Sequence, residues 1–101
     1  MAYLVYWSVL SKESFNDEID FIFLKWNLGE VSKFIELVKL VIEKLIEHPE
    51  IGIYGKEKKI YSLVISKQTR LFYRINESQN QIELVLFWNN KRNPVDLIKL
   101  L

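Results

Sequence analysis

Lys59-Ile60-Tyr61-Ser62-Leu63-Val64-Ile65-Ser66, Arg70-Leu71-Phe72-Tyr73-Arg74-Ile75 and Ile82-Glu83-Leu84-Val85-Leu86-Phe87-Trp88 decide the fold. The three runs are rich in β-branched and aromatic residues, which suit a pleated, half-buried surface. The polar break Lys67-Gln68-Thr69 separates the first two, and the polar stretch 76–81 separates the second two. Both connections are short enough for hairpins, so the spacing predicts a three-stranded antiparallel meander. In the middle run Leu71, Tyr73 and Ile75 share one face, while Arg70, Phe72 and Arg74 share the other. The apolar triplet is predicted to face the covering layer. The arginines then stand on the open face with Phe72 between them.

The first half of the chain supplies that layer. Tyr3 to Val9 reads as an opening strand, with Leu4, Val5, Tyr6 and Trp7 nearly continuous in apolar character. Ser11 is the expected N-cap of a helix from Lys12 to Trp26. Within it Phe15, Ile19, Ile22 and Trp26 are spaced 4, 3 and 4, one face of a helix. The segment 27–30, with Gly29 as the turn residue, separates it from a second helix over 30–47. There Val31, Phe34, Ile35, Val38, Val41, Ile42 and Leu45 form a broad apolar stripe. So short a link predicts an antiparallel helical hairpin. His48-Pro49 ends the second helix, and Gly52 and Gly55 mark a loop through Lys58. After the meander, Pro94 and Asp96 can start a short C-terminal helix or turn. The expected architecture is α+β, in the order β-α-α-β-β-β, with the hairpin packed on one face of an antiparallel-rich sheet.

At 101 residues a single domain is expected, and half the residues are hydrophobic, so disorder is not. The chain has no cysteine and one histidine, His48. Disulfides and thiolate metal sites are excluded, and a Ser/His/Asp triad or zinc site finds little support. No cofactor or metal is expected. His48 is placed to interact with the helix dipole, the ordinary role of a helix-terminal histidine. No signal peptide or membrane span is indicated, and a cytoplasmic location is expected. The net charge of +1 conceals an asymmetry: residues 1–50 sum to −4 and residues 51–101 to +5. A basic sheet side would draw nucleic acid or an acidic protein segment.

Taken together, the pattern resembles the RelE/ParE superfamily of bacterial toxin–antitoxin modules. The resemblance rests on Val5-Tyr6-Trp7-Ser8, on the helical hairpin, on Leu45-x3-Pro49-x2-Gly52, on Leu71-Phe72-Tyr73-Arg74-Ile75 and on the segment 87–97, which includes Arg92-Asn93-Pro94. It covers nearly the whole chain. It implies a toxin neutralised by a cognate antitoxin. In this superfamily RelE-like members cleave mRNA on the ribosome, and ParE-like members poison DNA gyrase. The cleaving branch implies an Arg, His or Tyr near the last strand and C-terminus, to orient the 2′-hydroxyl and move protons. Here the last strand ends Phe87-Trp88-Asn89-Asn90, and no tyrosine follows Tyr73. That departure points to the ParE-like branch and to no catalytic residues. A RelE-like ribonuclease and an inactive antitoxin-binding remnant are the alternatives. The target-binding candidates are Lys58, Lys59, Arg70, Arg74, Lys91 and Arg92. Arg74 is equally suited to an ion pair with Glu83 or Glu77, and Arg92 to pinning the C-terminal segment.

The first helix carries a second apolar set. With Ile19 at 0° and about 100° per residue, Phe15, Ile22 and Trp26 lie at about 320°, 300° and 340°. Phe21, Leu24 and Leu28 lie at about 200°, 140° and 180°. One sheet cannot bury both sets. Phe21, Leu24 and Leu28 are therefore expected to bind a partner, the antitoxin or a second copy in a homodimer.

Overall fold

The computed structural model describes residues 3–101. The chain runs β1 (Leu4–Trp7), α1 (Val9–Lys25), α2 (Leu28–Glu47), β2 (Ile53–Gly55), β3 (Ile60–Val64), β4 (Thr69–Asn76), β5 (Gln81–Asn89) and α3 (Pro94–Leu100). Short 3-10 turns lie at Pro49–Ile51 and Glu77–Gln79. The sheet order is β1-β5-β4-β3-β2, with β1 parallel to β5 and every other pair antiparallel. The predicted α+β class, helical hairpin, meander and C-terminal helix are all present. The predicted loop at 52–58 instead contains β2, a three-residue edge strand on β3 whose residues are all exposed. Flanking glycines and the lack of a buried face conceal so short a strand.

Strand β1 and helix α1 meet earlier than expected. Ser8, not Ser11, is the N-cap: its Oγ accepts from the Ser11 N–H at 3.0 Å. The same residue is tied to β5, with Ser8 N–H donating to Leu84 O at 3.1 Å and Oγ donating to Val85 O at 3.1 Å. Those bonds end the strand at Trp7 and start the helix at once. Helix α2 likewise begins at Leu28, because Asn27 Oδ1 accepts from Glu30 N–H at 3.0 Å. Gly29 thus lies in the first turn of α2.

The hairpin covers one sheet face. Ile22, Val31, Phe34, Val38 and Leu45 pack on Leu71, Tyr73, Ile82, Leu84 and Phe87. Trp7, Phe15, Phe34 and Phe87 form a ring cluster with neighbouring centroids 5.2–5.7 Å apart. Phe72 pairs with Leu86 and Tyr73 with Leu84, so Val85 is an extra residue in β5 and makes a β-bulge. The bulge keeps Leu84 and Phe87 toward the hairpin, while Val85, Leu86 and Trp88 face the other way.

That other face is not open throughout. Phe72, Ile60, Val85, Leu86 and Trp88 form a second buried cluster, on which Leu10, Leu97 and Leu101 pack. Phe72 was expected between two exposed arginines. It is buried instead, because the bulge gathers enough apolar surface to dock the C-terminal segment.

Tyr73 fastens the exit of α2. Its hydroxyl accepts from Gly52 N–H at 3.0 Å and donates to Pro49 O at 2.7 Å. Its ring stacks on Tyr61 at 5.2 Å. Burial pushes the phenol up to about 12, with Glu50 and Tyr61 adding to the effect and the Gly52 bond opposing it.

Candidate functional site

The cations of the second half lie in three places. Lys58 and Lys59 are exposed in the β2–β3 turn, where Lys59 takes φ 54°. Arg70 and Arg74 point to the face away from the hairpin. Arg70 Nη1 donates to Ser62 Oγ at 3.0 Å on the neighbouring strand. Arg74 Nη1 is 4.0 Å from Glu83 Oε1, its register partner on β5. Tyr6 completes that row across β1, β5 and β4, so phenol, carboxylate and guanidinium line one hollow of about 510 Å³. Lys91 and Arg92 occupy the turn after β5. The Arg92 guanidinium lies 4.6 Å from the centre of the Trp88 ring, a cation–π contact.

A cation that the sequence reading omitted joins this turn. The Lys25 amine at the end of α1 lies beside the Lys91 amine, whose like charge pushes the Lys25 pKa down. It also lies 5.0 Å from the Trp26 ring and 5.5 Å from the Phe21 ring. Lys25, Lys91 and Arg92 therefore gather positive charge at one end of the molecule, although Lys25 belongs to the acidic half of the sequence. Linear distance hid it.

Beside this cluster is a hollow of about 410 Å³ lined by Ser14, Asp17, Glu18, Phe21, Phe87, Asn89, Lys91 and Arg92. Glu18 is only 5% exposed. Its Oε2 accepts from Thr69 Oγ1 at 2.6 Å, and the Asn89 side chain lines the same hollow beside it. Burial pushes its pKa up; the Thr69 bond, the Asn89 side chain and the Arg92 charge pull it back only in part.

The expected partner residues separate. Leu24 is 82% exposed and Leu28 67% exposed. Phe21 is half-buried against the core cluster and meets Trp26 edge-on at 6.3 Å. Trp26, expected on the core face, is 46% exposed, because α1 ends at Lys25 and the backbone turns away there. Phe23, Leu24, Trp26 and Leu28 thus leave apolar surface at the hairpin bend. Among the described residues no helix is long and apolar enough to cross a membrane.

The sequence model of the ParE toxin of type II toxin–antitoxin systems matches residues 5–94, from β1 to the first residue of α3. The chain belongs to the ParE toxin family. Its fold is similar to that of the toxin–antitoxin complex RelBE2 from Mycobacterium tuberculosis, with TM-score 0.63 and 14% identity. That match covers 88% of this chain and 99% of the other. It is also similar to a YoeB/ParE toxin from Agrobacterium tumefaciens, with TM-score 0.59 and 17% identity over 85% of this chain and 97% of the other. No curated protein matches significantly. This ParE-family chain thus shares the superfamily fold at identities where the fold alone carries over.

Within the toxin fold, the polar column Ser11, Ser14 and Glu18 is what the sequence reading missed. Strand β1 pairs with β5 only over Gln81 to Leu84, which among the described residues leaves the far half of that β5 edge without a strand. Side chains near and on α1 satisfy it instead. Ser8 takes the Val85 carbonyl and Ser14 Oγ accepts from Phe87 N–H at 2.9 Å, while Glu18 holds the side chains where the strand ends. The spacing of 3 and 4 residues along one helix side was the available signal.

Glu18 gives a testable pH effect. An acid whose folded pKa lies above its usual value of 4.5 binds more protons folded than unfolded. Its contribution is greatest at low pH and is lost as pH rises through the folded pKa. Relative to the parent, Glu18→Gln is expected to gain stability with rising pH, because the variant lacks this ionisation. Melting temperatures taken from about pH 4.5 upward check this, and parallel curves for the two proteins would refute it.

Proposed function

We propose that this ParE-family toxin inhibits DNA gyrase through its basic surface and is neutralised by a cognate antitoxin. The observation that carries the reading is the state of Tyr73. It is the phenol of the family-like strand 71–75, yet it faces the core, holds its proton to about 12 and is bonded to Pro49 and Gly52. It is no candidate for proton transfer at neutral pH. His48 caps the end of α2, and the turn after β5 carries Lys91 and Arg92 as fixed charges. Such a surface is suited to binding a target electrostatically.

One observation favours the second reading, a ribosome-dependent endoribonuclease. Tyr6, Glu83 and Arg74 stand in one register row, a set that resembles an acid, a base and a charge stabiliser. Purified protein decides between them. Loss of gyrase supercoiling activity in its presence, with DNA damage and filamentation on induction in a bacterium, is the expected result. Cleaved transcripts with intact supercoiling would establish the nuclease, and unimpaired growth would establish an inactive remnant.

The antitoxin reading draws support from the RelBE2 likeness, itself a toxin–antitoxin complex. The exposed leucines at the hairpin bend fit an amphipathic antitoxin segment. Burying a leucine yields about 1.5–3 kcal/mol. Leu24→Asp with Leu28→Asp is therefore expected to weaken capture by the antitoxin at least about a hundredfold. Titration calorimetry with the antitoxin encoded beside the toxin gene measures it. Unchanged affinity together with a smaller particle on gel filtration would assign the patch to a homodimer.

A further inference from the structure

We infer that Glu18 is a positioning residue for the cationic turn, acting through Asn89 as a buried latch on Lys91 and Arg92. This rests on the proposed role of that turn in target binding.

Thr69 opens β4 and Asn89 closes β5, and the two are register partners. Glu18 reaches them from α1: its Oε2 accepts from Thr69 Oγ1 at 2.6 Å, and Asn89 lines the same hollow beside its carboxylate and draws its pKa down. It therefore clamps two strand ends at the point where the chain leaves the sheet. Asn89 passes the constraint on. With its amide group beside Glu18, its Oδ1 accepts from Lys91 N–H at 2.9 Å. Its backbone carbonyl accepts from Arg92 N–H at 3.0 Å. Asn90 N–H donates to Gln68 O at 2.7 Å, a second hold on the same turn. The Glu18 charge also attracts the Arg92 guanidinium, which Trp88 supports from its ring face.

The chemistry of the arrangement argues for more than packing. A buried carboxylate is costly, and a core that needed only bulk would be better served by an apolar residue. What the carboxylate adds is direction. Two acceptor oxygens orient the Asn89 amide, and its opposite end then has one orientation from which to hold the Lys91 backbone. A turn fixed before binding loses less entropy when it meets its target. Lys91 and Arg92 carry long side chains whose roots are thereby held.

Glu18→Gln keeps the size and can still accept from Thr69, but it cannot present two acceptor oxygens or attract Arg92. Asn89→Ala removes the relay while keeping the carboxyl. In both variants the Lys91 amide is expected to exchange with deuterium at least about tenfold faster, with core amides unchanged and a cooperative melt. Toxin dose for growth arrest is expected to rise about tenfold. If exchange accelerates equally throughout the chain, Glu18 is a fold residue only and the inference is overturned. Unchanged Lys91 exchange in Glu18→Gln overturns it too, whatever Asn89→Ala does, since that variant removes the Lys91 acceptor itself. Lys91→Ala with Arg92→Ala separates the two layers. Full growth arrest by that variant would remove the turn from the target surface and refute the underlying reading, while Lys91 exchange in Glu18→Gln still reports the latch.

Discussion

Gly52→Ala is expected to lower stability by about 3 kcal/mol and the melting temperature by more than about 10 °C. A Cβ at this position would stand 2.6 Å from Tyr73 Oη and 2.7 Å from Ser62 O. The first is the end of a stacked, doubly bonded side chain, and the second is backbone of β3, so neither can yield cheaply. The cause is proximity and not conformation, since Gly52 has φ −75°. The Gly52 N–H bond to Tyr73 would be stretched as well, adding about 1 kcal/mol. Tyr73→Phe alone removes the hydroxyl and should cost about 1–3 kcal/mol, because it strands the Pro49 carbonyl and the Gly52 amide. In the double variant one of the two clashes is gone, so the losses should sum to less than additive. Chemical denaturation of the three variants checks this. A Gly52→Ala protein as stable as the parent would mean that the exit of α2 moves freely away from Tyr73.

The second large effect concerns the arginines of β4. Arg70→Glu with Arg74→Glu is expected to reduce toxicity by about a hundredfold, roughly 3 kcal/mol of lost target interaction. The fold should tolerate the change. Arg70 bonds a serine hydroxyl, and the Arg74–Glu83 pair is partly exposed and stretched to 4.0 Å, so each contributes little to stability. Induction assays beside a thermal melt separate the outcomes. Wild-type growth arrest would move the target surface to Lys25, Lys91 and Arg92 alone. Loss of the cooperative melt would make the arginines structural.

Local chemistry by itself determined the meander, the helical hairpin and the face of β4 that meets it. Leu71, Tyr73 and Ile75 alternate with Arg70 and Arg74, and that period is a property of the strand. The apolar stripe of α2 was legible for the same reason, as were the exposed Leu24 and Leu28. What the tertiary structure decided lies where a residue's role depends on a distant partner. Ser8 replaced Ser11 as the cap because β5 holds it. Phe72 became core because a bulge at Val85 and the C-terminal segment met on its face. Phe21 is half-buried because it borders the side of α1 on which Ser14 and Glu18 are buried. Glu18 carries no signal of its own in the sequence, yet Thr69, 51 residues away, makes it a buried anchor. Periodicity reports which side of an element is apolar. Only the assembled fold shows which polar side chains must satisfy an edge that no strand covers.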